Sequence, residues 1–223
     1  MARQNMLLQP VSVIDALINT LAQEIINGEW EPGEQLKDIE MAEKYDVSRN
    51  SIREAFSILV EKGLLKKRAN RGVFVPKFSE DEVIELYNAR LVIELEAIDS
   101  LTQKREVFPE MLQAVEDMKL TSEEKRSYYL DSDYQFHICM VKALSNSRLE
   151  AYMERLFTEI KIINRQPKMF FAIDYVIKEH NKIMDAIWAG DVRQSRDLMR
   201  DHVQQSISRQ MAEMQNASKG GAQ

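Results

Sequence analysis

Apolar residues recur every three or four positions along most of this 223-residue chain, the spacing that places them on one face of an α-helix. Residues that interrupt helices are scarce, with seven glycines and five prolines. Hydrophobic residues make up 44% of the chain and charged residues 30%, which disfavours disorder, collagen-like repeats and a many-turned β-sandwich. The sequence therefore predicts a mainly α fold.

The first 77 residues predict three helices followed by a hairpin. Ser48 is the expected N-cap of the third helix, and Gly63 is its expected end. The expected elements are helices over 12–27, 39–45 and 49–62, then β runs over 64–67 and 73–75 around a turn at 68–72. This order is that of a winged helix-turn-helix domain.

The charge of this region is distributed unevenly. Residues 48–77 contain eight basic and two acidic residues, a net charge of +6, whereas the whole chain has a net charge of -6. A basic segment within an acidic protein is typical of a surface that faces phosphates. The alternative explanation is an ordinary solvated charged face.

The run from Pro32 to Ala55, together with the segment from Asn70 to Val75, resembles the GntR family of bacterial transcription regulators. The resemblance implies that Arg49 and Arg53 contact DNA, and Arg is suited to bidentate contacts with guanine. Asn50 and Ser51 stand where related sequences usually carry Thr-Pro. We therefore expect that the operator bases read by this chain differ from those read by its relatives. The complete set of DNA-binding candidates is Ser48, Arg49, Asn50, Arg53, Lys66, Arg68, Arg71 and Gly72.

These candidates have different expected roles. Arg49, Asn50 and Arg53 lie at the start of the third helix and are expected to read base edges. The basic residues of the hairpin would contact phosphates, and the helix N-terminus at Ser48 favours a phosphate nearby. Gly72 would let the wing tip approach the DNA closely.

The remainder of the chain predicts an all-α domain over residues 78–216 and a frayed tail over 217–223. Ser79 and Glu82 form a capping-box pattern at the start of a long helix, and Ser147 and Glu150 form another. Further helices are expected near 108–120, 123–144, 147–164, 170–189 and 191–215.

All three histidines of the chain lie on apolar faces of these helices. Asp133 and His137 are four residues apart on one predicted helix, while His180 and His202 lie on two others. A buried carboxylate beside a histidine requires a partner, and these four side chains are able to converge from three helices. Each histidine alone is more often a satisfied core residue than a ligand.

This half of the chain resembles the ligand-binding domain of the FadR subfamily of GntR regulators, particularly its metal-containing members. The matching segments are Arg90 to Glu94, Asp133 to His137, and His180 to Asp191 leading to His202. The resemblance implies a divalent metal held by Asp133, His137, His180 and His202, with positions open to an effector carboxylate. Imidazole and carboxylate ligands suit Zn, Ni, Mn or Fe.

The same resemblance points to arginines in an effector pocket. Arg90 matches a pocket arginine that pairs an anionic effector, although an ion pair with Glu94 four residues later is an equal alternative. Arg165 and Asn164 are weaker candidates. The single cysteine, Cys139, lies on a different helix face from His137 and is expected to be a packing residue.

The sequence favours a homodimeric, DNA-binding transcription regulator, more specifically a repressor. It would bind a palindromic operator in double-stranded DNA and respond to a small carboxylate metabolite. The alternatives are a metal-dependent hydrolase and a direct metal sensor. The longest apolar run has five residues, so no membrane span is expected, and we expect a cytoplasmic bacterial protein.

Overall fold

The computed structural model describes residues 12–120, 126–164 and 173–220. Contacts divide the chain into two units, Met1–Lys77 and Phe78–Gln223. The predicted mainly α fold is confirmed, with an N-terminal winged helix-turn-helix unit and a C-terminal helical unit. None of the described helices combines the length and the apolar character that a membrane span requires.

The first unit contains three helices and a small antiparallel sheet. Its elements are α1 Val13–Asn27, β1 Gln35–Leu36, α2 Asp38–Tyr45, α3 Arg49–Glu61, β2 Lys66–Arg68 and β3 Gly72–Phe74. The strand order is β1-β3-β2, with Val73 opposite both Leu36 and Lys67. The hairpin was predicted, but β1 was not.

The core of the first unit lies between α1 and α3. Leu21 and Ile25 of α1 and Ile52 and Leu59 of α3 are fully buried. The predicted N-cap is confirmed, because the Ser48 side chain accepts a hydrogen bond from the Ser51 amide. Since the apolar face of α3 points inward, its opposite face is left to solvent.

A partly exposed cluster of charged and polar side chains joins α1 to α2. The Glu24 carboxylate accepts hydrogen bonds from Tyr45 Oη at 2.6 Å, Trp30 Nε1 at 2.9 Å and Lys44 Nζ at 2.9 Å. The two donors on α2, Lys44 and Tyr45, fix α1 and α2 relative to each other, and Trp30 adds a third bond from the segment after α1.

The second unit is built from helices throughout its described residues. They are α4 Glu80–Lys104, α5 Pro109–Lys119, α6 Arg126–Lys142, α7 Ser147–Ile163, α8 Ile173–Ala189 and α9 Val192–Gly220. The capping box of Ser79 and Glu82 is confirmed. Residues 123–125, 165–172 and 221–223 of the predicted elements and tail lie outside the described residues.

Two predictions for this unit are wrong in detail. The N-cap of α7 is Asn146, whose side chain accepts from the amides of Arg148 and Leu149, so Ser147 is the first helical residue instead of the cap. Helix α9 continues to Gly220, past the expected end near residue 215, because Ala217, Ser218 and Lys219 are compatible with a helix.

The core of the second unit contains residues from α4 to α9, and polar residues are buried beside it. The fully or almost fully buried polar side chains include Arg90, Glu94, His137, His180 and His202. The Cys139 side chain is only 3% exposed, as expected for a packing residue. Buried charges require partners, so the polar group within this core is the natural place to look for a site.

Candidate functional site

The N-terminal end of α3 presents two arginines to solvent. The side chains of Arg49 and Arg53 are 51% and 59% exposed, and they lie one turn apart on the face opposite the core. Asn50 is also exposed. The structure therefore places all three predicted base-reading residues on one accessible helix end.

Asp38, the first residue of α2, contacts both arginines. Its Oδ2 lies 2.6 Å from Nε of Arg53 and 3.2 Å from Nη2 of Arg49. These hydrogen bonds are opposed by partial burial, but the bond from Arg53 is the largest influence, and together they lower the pKa of the Asp38 carboxyl. The carboxylate thus orients both guanidinium groups through charged hydrogen bonds.

The wing of the first unit consists of β2, β3 and their turn. Lys66, Arg68 and Arg71 are all exposed, and the Arg68 guanidinium lies 4.6 Å from the centre of the Phe74 ring. Gly72 has φ +100, a conformation that favours glycine. The Gln35 amide donates to the Arg71 carbonyl at 2.8 Å, so β1 fixes the base of the turn.

Three imidazoles meet in the core of the second unit. The rings of His137 in α6, His180 in α8 and His202 in α9 have centroids 4.9–5.2 Å apart. One nitrogen from each ring lies within 4.8 Å of the other two. Zinc–nitrogen bonds of about 2.0–2.1 Å hold two ligand nitrogens within about 4 Å, so the rings need to close only slightly on an ion.

Two of the three histidines have a carboxylate beside Nδ1. Nδ1 of His137 lies 2.8 Å from Glu94 Oε1, and Nδ1 of His202 lies 3.0 Å from Glu179 Oε2. A carboxylate accepts, so it favours the tautomer with the proton on Nδ1 and leaves the Nε2 lone pair for the cluster. This arrangement is common behind metal-binding histidines.

The third histidine has no hydrogen bond among the described residues. Both ring nitrogens of His180 are buried and unpartnered, while its ring stacks on Phe136 with a centroid distance of 3.9 Å. Burial lowers the pKa of His180 and of His202 well below the ordinary value, so both are neutral near pH 7. A neutral, unpartnered nitrogen in a core is a suitable metal ligand.

Asp133 lies at the edge of this cluster. Its Oδ1 is 3.6 Å from Nε2 of His180 and 3.8 Å from Nε2 of His137. Burial raises the pKa of the Asp133 carboxyl, but the His137 imidazole beside it and the Arg90 guanidinium outweigh burial and keep the pKa far below its ordinary value. The structure therefore brings together all four metal-ligand candidates, with Asp133 as an anion.

The guanidinium of Arg90 lies inside the same cluster. Its Nη2 is 2.7 Å from Nε2 of His137 and 3.2 Å from Nε2 of His202, and its Nε donates to Glu94 Oε1 at 2.8 Å. The predicted pair with Glu94 is therefore present, together with contacts to two histidines. Arg165 lies outside the described residues.

Sequence reasoning missed Asp38 and Glu179. Each contacts its partners across a separation of 11 or more residues, so helical spacing gives no signal for either contact. Their residue types did carry information, since an acidic residue near a basic or histidine cluster is a candidate counter-charge.

Two family models match this chain. The model described as bacterial regulatory proteins, gntR family, matches residues 14–75, and the FCD domain matches residues 85–205. The first match covers the winged unit, and the second covers the histidine cluster. These matches indicate a transcription regulator and not an enzyme.

Named relatives agree with this assignment. The HTH-type transcriptional regulator BphR of Paraburkholderia xenovorans (strain LB400) is 25% identical over 207 residues, covering 88% of this chain and 84% of that protein. The galactonate operon transcriptional repressor of Escherichia coli (strain K12) is 23% identical over 201 residues, covering 78% of this chain and 86% of that protein.

Solved structures show the same fold. A transcriptional regulator GntR from Rhodococcus sp. RHA1 has a TM-score of 0.76 and 24% identity, covering 89% of this chain and 97% of that one. The Zn²⁺-bound FCD domain of the regulator TM0439 has a TM-score of 0.51 and 16% identity, covering 62% of this chain and 97% of that one. The chain therefore belongs to the GntR family of bacterial regulatory proteins, among the members that carry an FCD domain.

Proposed function

We propose that this transcription regulator is a homodimeric cytoplasmic repressor whose operator affinity changes when a small carboxylate metabolite binds beside a divalent metal ion. The single observation that carries the proposal is the group of three buried histidine nitrogens within 4.8 Å of one another in the FCD unit. Allosteric control requires that the metabolite favour one DNA-binding state over the other.

The proposed DNA contacts follow from charge and exposure. Arg49, Asn50 and Arg53 would enter the major groove, where an arginine fork pairs with guanine O6 and N7. Lys66, Arg68 and Arg71 would bind phosphates, with the α3 N-terminus at Ser48 near another and Gly72 at the wing tip. Two copies would match the two half-sites of a palindromic operator.

The proposed metal ligands are His137, His180, His202 and Asp133. Support comes from the unpartnered nitrogens of His180 and from the carboxylates that fix the tautomers of the other two histidines. The chemistry of these donors suits Zn, Ni, Mn or Fe. The bound ion would supply a Lewis-acidic site for a carboxylate oxygen, and the zinc-bound FCD relative supports this assignment.

Arg90 would provide the second anchor for the metabolite. Its guanidinium offers donors in the fork geometry that pairs with a carboxylate. The galactonate operon repressor shows that a relative controls the operon of a sugar acid, which agrees with a carboxylate effector.

The DNA-binding half is tested with fragments selected from the source genome by the full chain. We expect one palindromic site, bound by two copies of the chain. In Arg49→Ala the free energy of binding to this site should weaken by about 1–3 kcal/mol. Arg155→Ala, a similarly exposed arginine of the second unit, is the matched control. Binding that does not depend on the DNA sequence would contradict these roles, and so would an Arg49→Ala variant with unchanged affinity for the selected site.

The metal half is tested by titrating the dialysed chain with Zn²⁺. We expect one ion per chain, loss of binding in His180→Ala, and retention in Lys178→Ala, an exposed residue of the same helix. If the ion alone controls operator binding and no carboxylate has an effect, the direct metal sensor replaces the proposed metabolite response.

A further inference from the structure

Arg90 occupies an unusual position for a pocket arginine. It is 2% exposed, and its Nη2 lies 2.7 Å from Nε2 of His137 and 3.2 Å from Nε2 of His202. The same Nη2 is 3.1 Å from Nδ1 of His137, so Nε2 is the nearer nitrogen of that ring. The carboxylates of Glu94 and Glu179 favour a proton on Nδ1 of each histidine, and that tautomer leaves each ring one lone pair, on Nε2.

One lone pair serves either a hydrogen bond or a metal ion, not both. We propose that the Arg90 guanidinium and the divalent ion compete for Nε2 of His137 and His202, and that a carboxylate which binds Arg90 strengthens ion binding. The inference rests on the proposed metal site and adds a coupling between its two ligands.

Charge repulsion between the ion and the Arg90 guanidinium adds to their competition for the two histidines. An ion held by these nitrogens would lie a few ångströms from the guanidinium, and two positive charges at that separation repel strongly in a buried site. The guanidinium must therefore leave both histidines when the ion binds.

Glu94 allows this movement without expelling Arg90 from the core. The Arg90 Nε bond to Glu94 Oε1 involves a different part of the guanidinium from the histidine contacts. The second oxygen, Glu94 Oε2, is buried and has no hydrogen-bond partner among the described residues. A guanidinium turned away from the histidines has this acceptor available, and its remaining donors face a metabolite carboxylate.

Thermodynamic linkage turns this geometry into a measurable coupling. A carboxylate that holds Arg90 away from the histidines removes the competitor of the ion, so it raises ion affinity. By reciprocity, the ion raises carboxylate affinity by the same factor. A metabolite would therefore bind tightly only to the ion-loaded regulator.

The first experiment uses the unmodified full chain. The Zn²⁺ affinity is measured by competition with a chromophoric chelator in rising acetate, with chloride holding the ionic strength constant and the weak acetate complex of Zn²⁺ subtracted. We expect the affinity to rise with acetate. A Zn²⁺ affinity that acetate leaves unchanged overturns the coupling.

The second experiment removes the competitor. In Arg90→Met the unpaired Glu94 carboxylate would remain buried, so the substitution is made together with Glu94→Gln, and Glu94→Gln alone is the matched control. Removing hydrogen bonds from a charged donor predicts a Zn²⁺ affinity about tenfold to a hundredfold tighter in the double variant. The acetate dependence should be weaker than in the control, because acetate then binds only the ion. Equal or weaker affinity than in the control overturns the competition.

These results separate the inference from the proposed function. If the unmodified chain binds no Zn²⁺, the metal site itself is wrong and the inference is wrong with it. If the unmodified chain binds Zn²⁺ but the Arg90 variant and acetate change nothing, the metal site stands and only the competition is rejected.

Discussion

At the scale of single residues, Asp38 holds the two arginines that we propose contact DNA. Its carboxylate bonds Arg53 at 2.6 Å and Arg49 at 3.2 Å, and it adds a negative charge to a surface proposed to face phosphates. In the proposed complex, the same contact would orient the arginine side chains and oppose sequence-independent DNA binding. Selectivity gains from both effects.

We predict that Asp38→Asn binds non-specific duplex DNA about two- to fivefold more tightly, the range expected for exposed ion pairs, and loses discrimination by a similar factor. Fluorescence anisotropy with a selected site and a scrambled duplex, each over a salt series, measures both quantities. Asp197→Asn, an exposed aspartate paired with arginines in the second unit, is the control. Equal discrimination in the two variants would refute an orienting role for Asp38.

At the same scale, the backbone conformation explains why residue 72 is a glycine. Its φ of +100 strains any L side chain, and an added Cβ would lie 2.8 Å from Nε2 of Gln35. The Gln35 amide is the flexible end of a side chain and can move, so the backbone conformation is the larger cost.

We predict that Gly72→Ala lowers the free energy of unfolding by about 1–3 kcal/mol, measured by urea denaturation. Because the cost is conformational, adding Gln35→Ala should restore little of it. Full recovery in the double variant would show that the contact with Gln35, not φ, is the reason for glycine.

At the scale of elements, Glu24 connects α1 to α2 through Lys44 and Tyr45 and also accepts from Trp30. Burial raises the pKa of this carboxyl, but the hydrogen bonds from Tyr45, Lys44 and Trp30 outweigh it, and the pKa in the folded chain is below the ordinary 4.5. A lowered folded pKa means that the stabilisation is complete above about pH 4.5 and is lost as the pH falls through the folded value.

We predict that Glu24→Gln destabilises the chain by about 1–3 kcal/mol near pH 7, as for other charged hydrogen bonds. The difference from the unmodified chain should shrink below about pH 4.5, because protonation then removes the same charge from the unmodified protein. Urea denaturation at both pH values measures this. A difference independent of pH would mean that shape, not charge, holds the two helices.

The elements also show which parts of the structure local sequence determines. The caps at Ser48 and Ser79 depend on bonds to residues three positions later, so the sequence predicted both. Strand β1 has only two residues and exists through pairing with β3, nearly forty residues away, which no local pattern reveals. Asn146 displaced the predicted cap at Ser147 because its side chain reaches two amides.

In the candidate site too, local sequence predicted some features, whereas others depend on contacts between helices. Helical spacing predicted that Asp133 and His137 share a face and placed His180 and His202 on apolar faces of two other helices. The resemblance implied that the four residues hold a metal ion. Spacing could not predict Glu179 beside His202, because that contact joins two helices, nor that Arg90 would donate to histidines on α6 and α9. Contacts between distant segments depend on packing, which a single sequence specifies only as a whole.

At the scale of the whole molecule, an ion that binds the folded chain stabilises it by mass action. An ion at a hundred times its dissociation constant adds about 2.7 kcal/mol. The proposed ligands lie on α6, α8 and α9, so we expect this gain in the second unit.

We predict that a chelator lowers the melting temperature of the second unit by several degrees, and that Zn²⁺ restores it. Differential scanning calorimetry follows this transition in the unmodified chain and in His180→Ala. The variant should not respond to chelator or ion. A chelator effect of equal size in His180→Ala would place the stabilising ion elsewhere.

The single thiol of the chain, Cys139, is buried, and burial raises its pKa, so it reacts slowly with thiol reagents. A cysteine introduced at an exposed position such as Asn50 or Arg193 would then be labelled selectively without first removing a native thiol. Spin labels or fluorophores at such positions would report distances between copies in solution, and the natural sequence needs no other change to accept them.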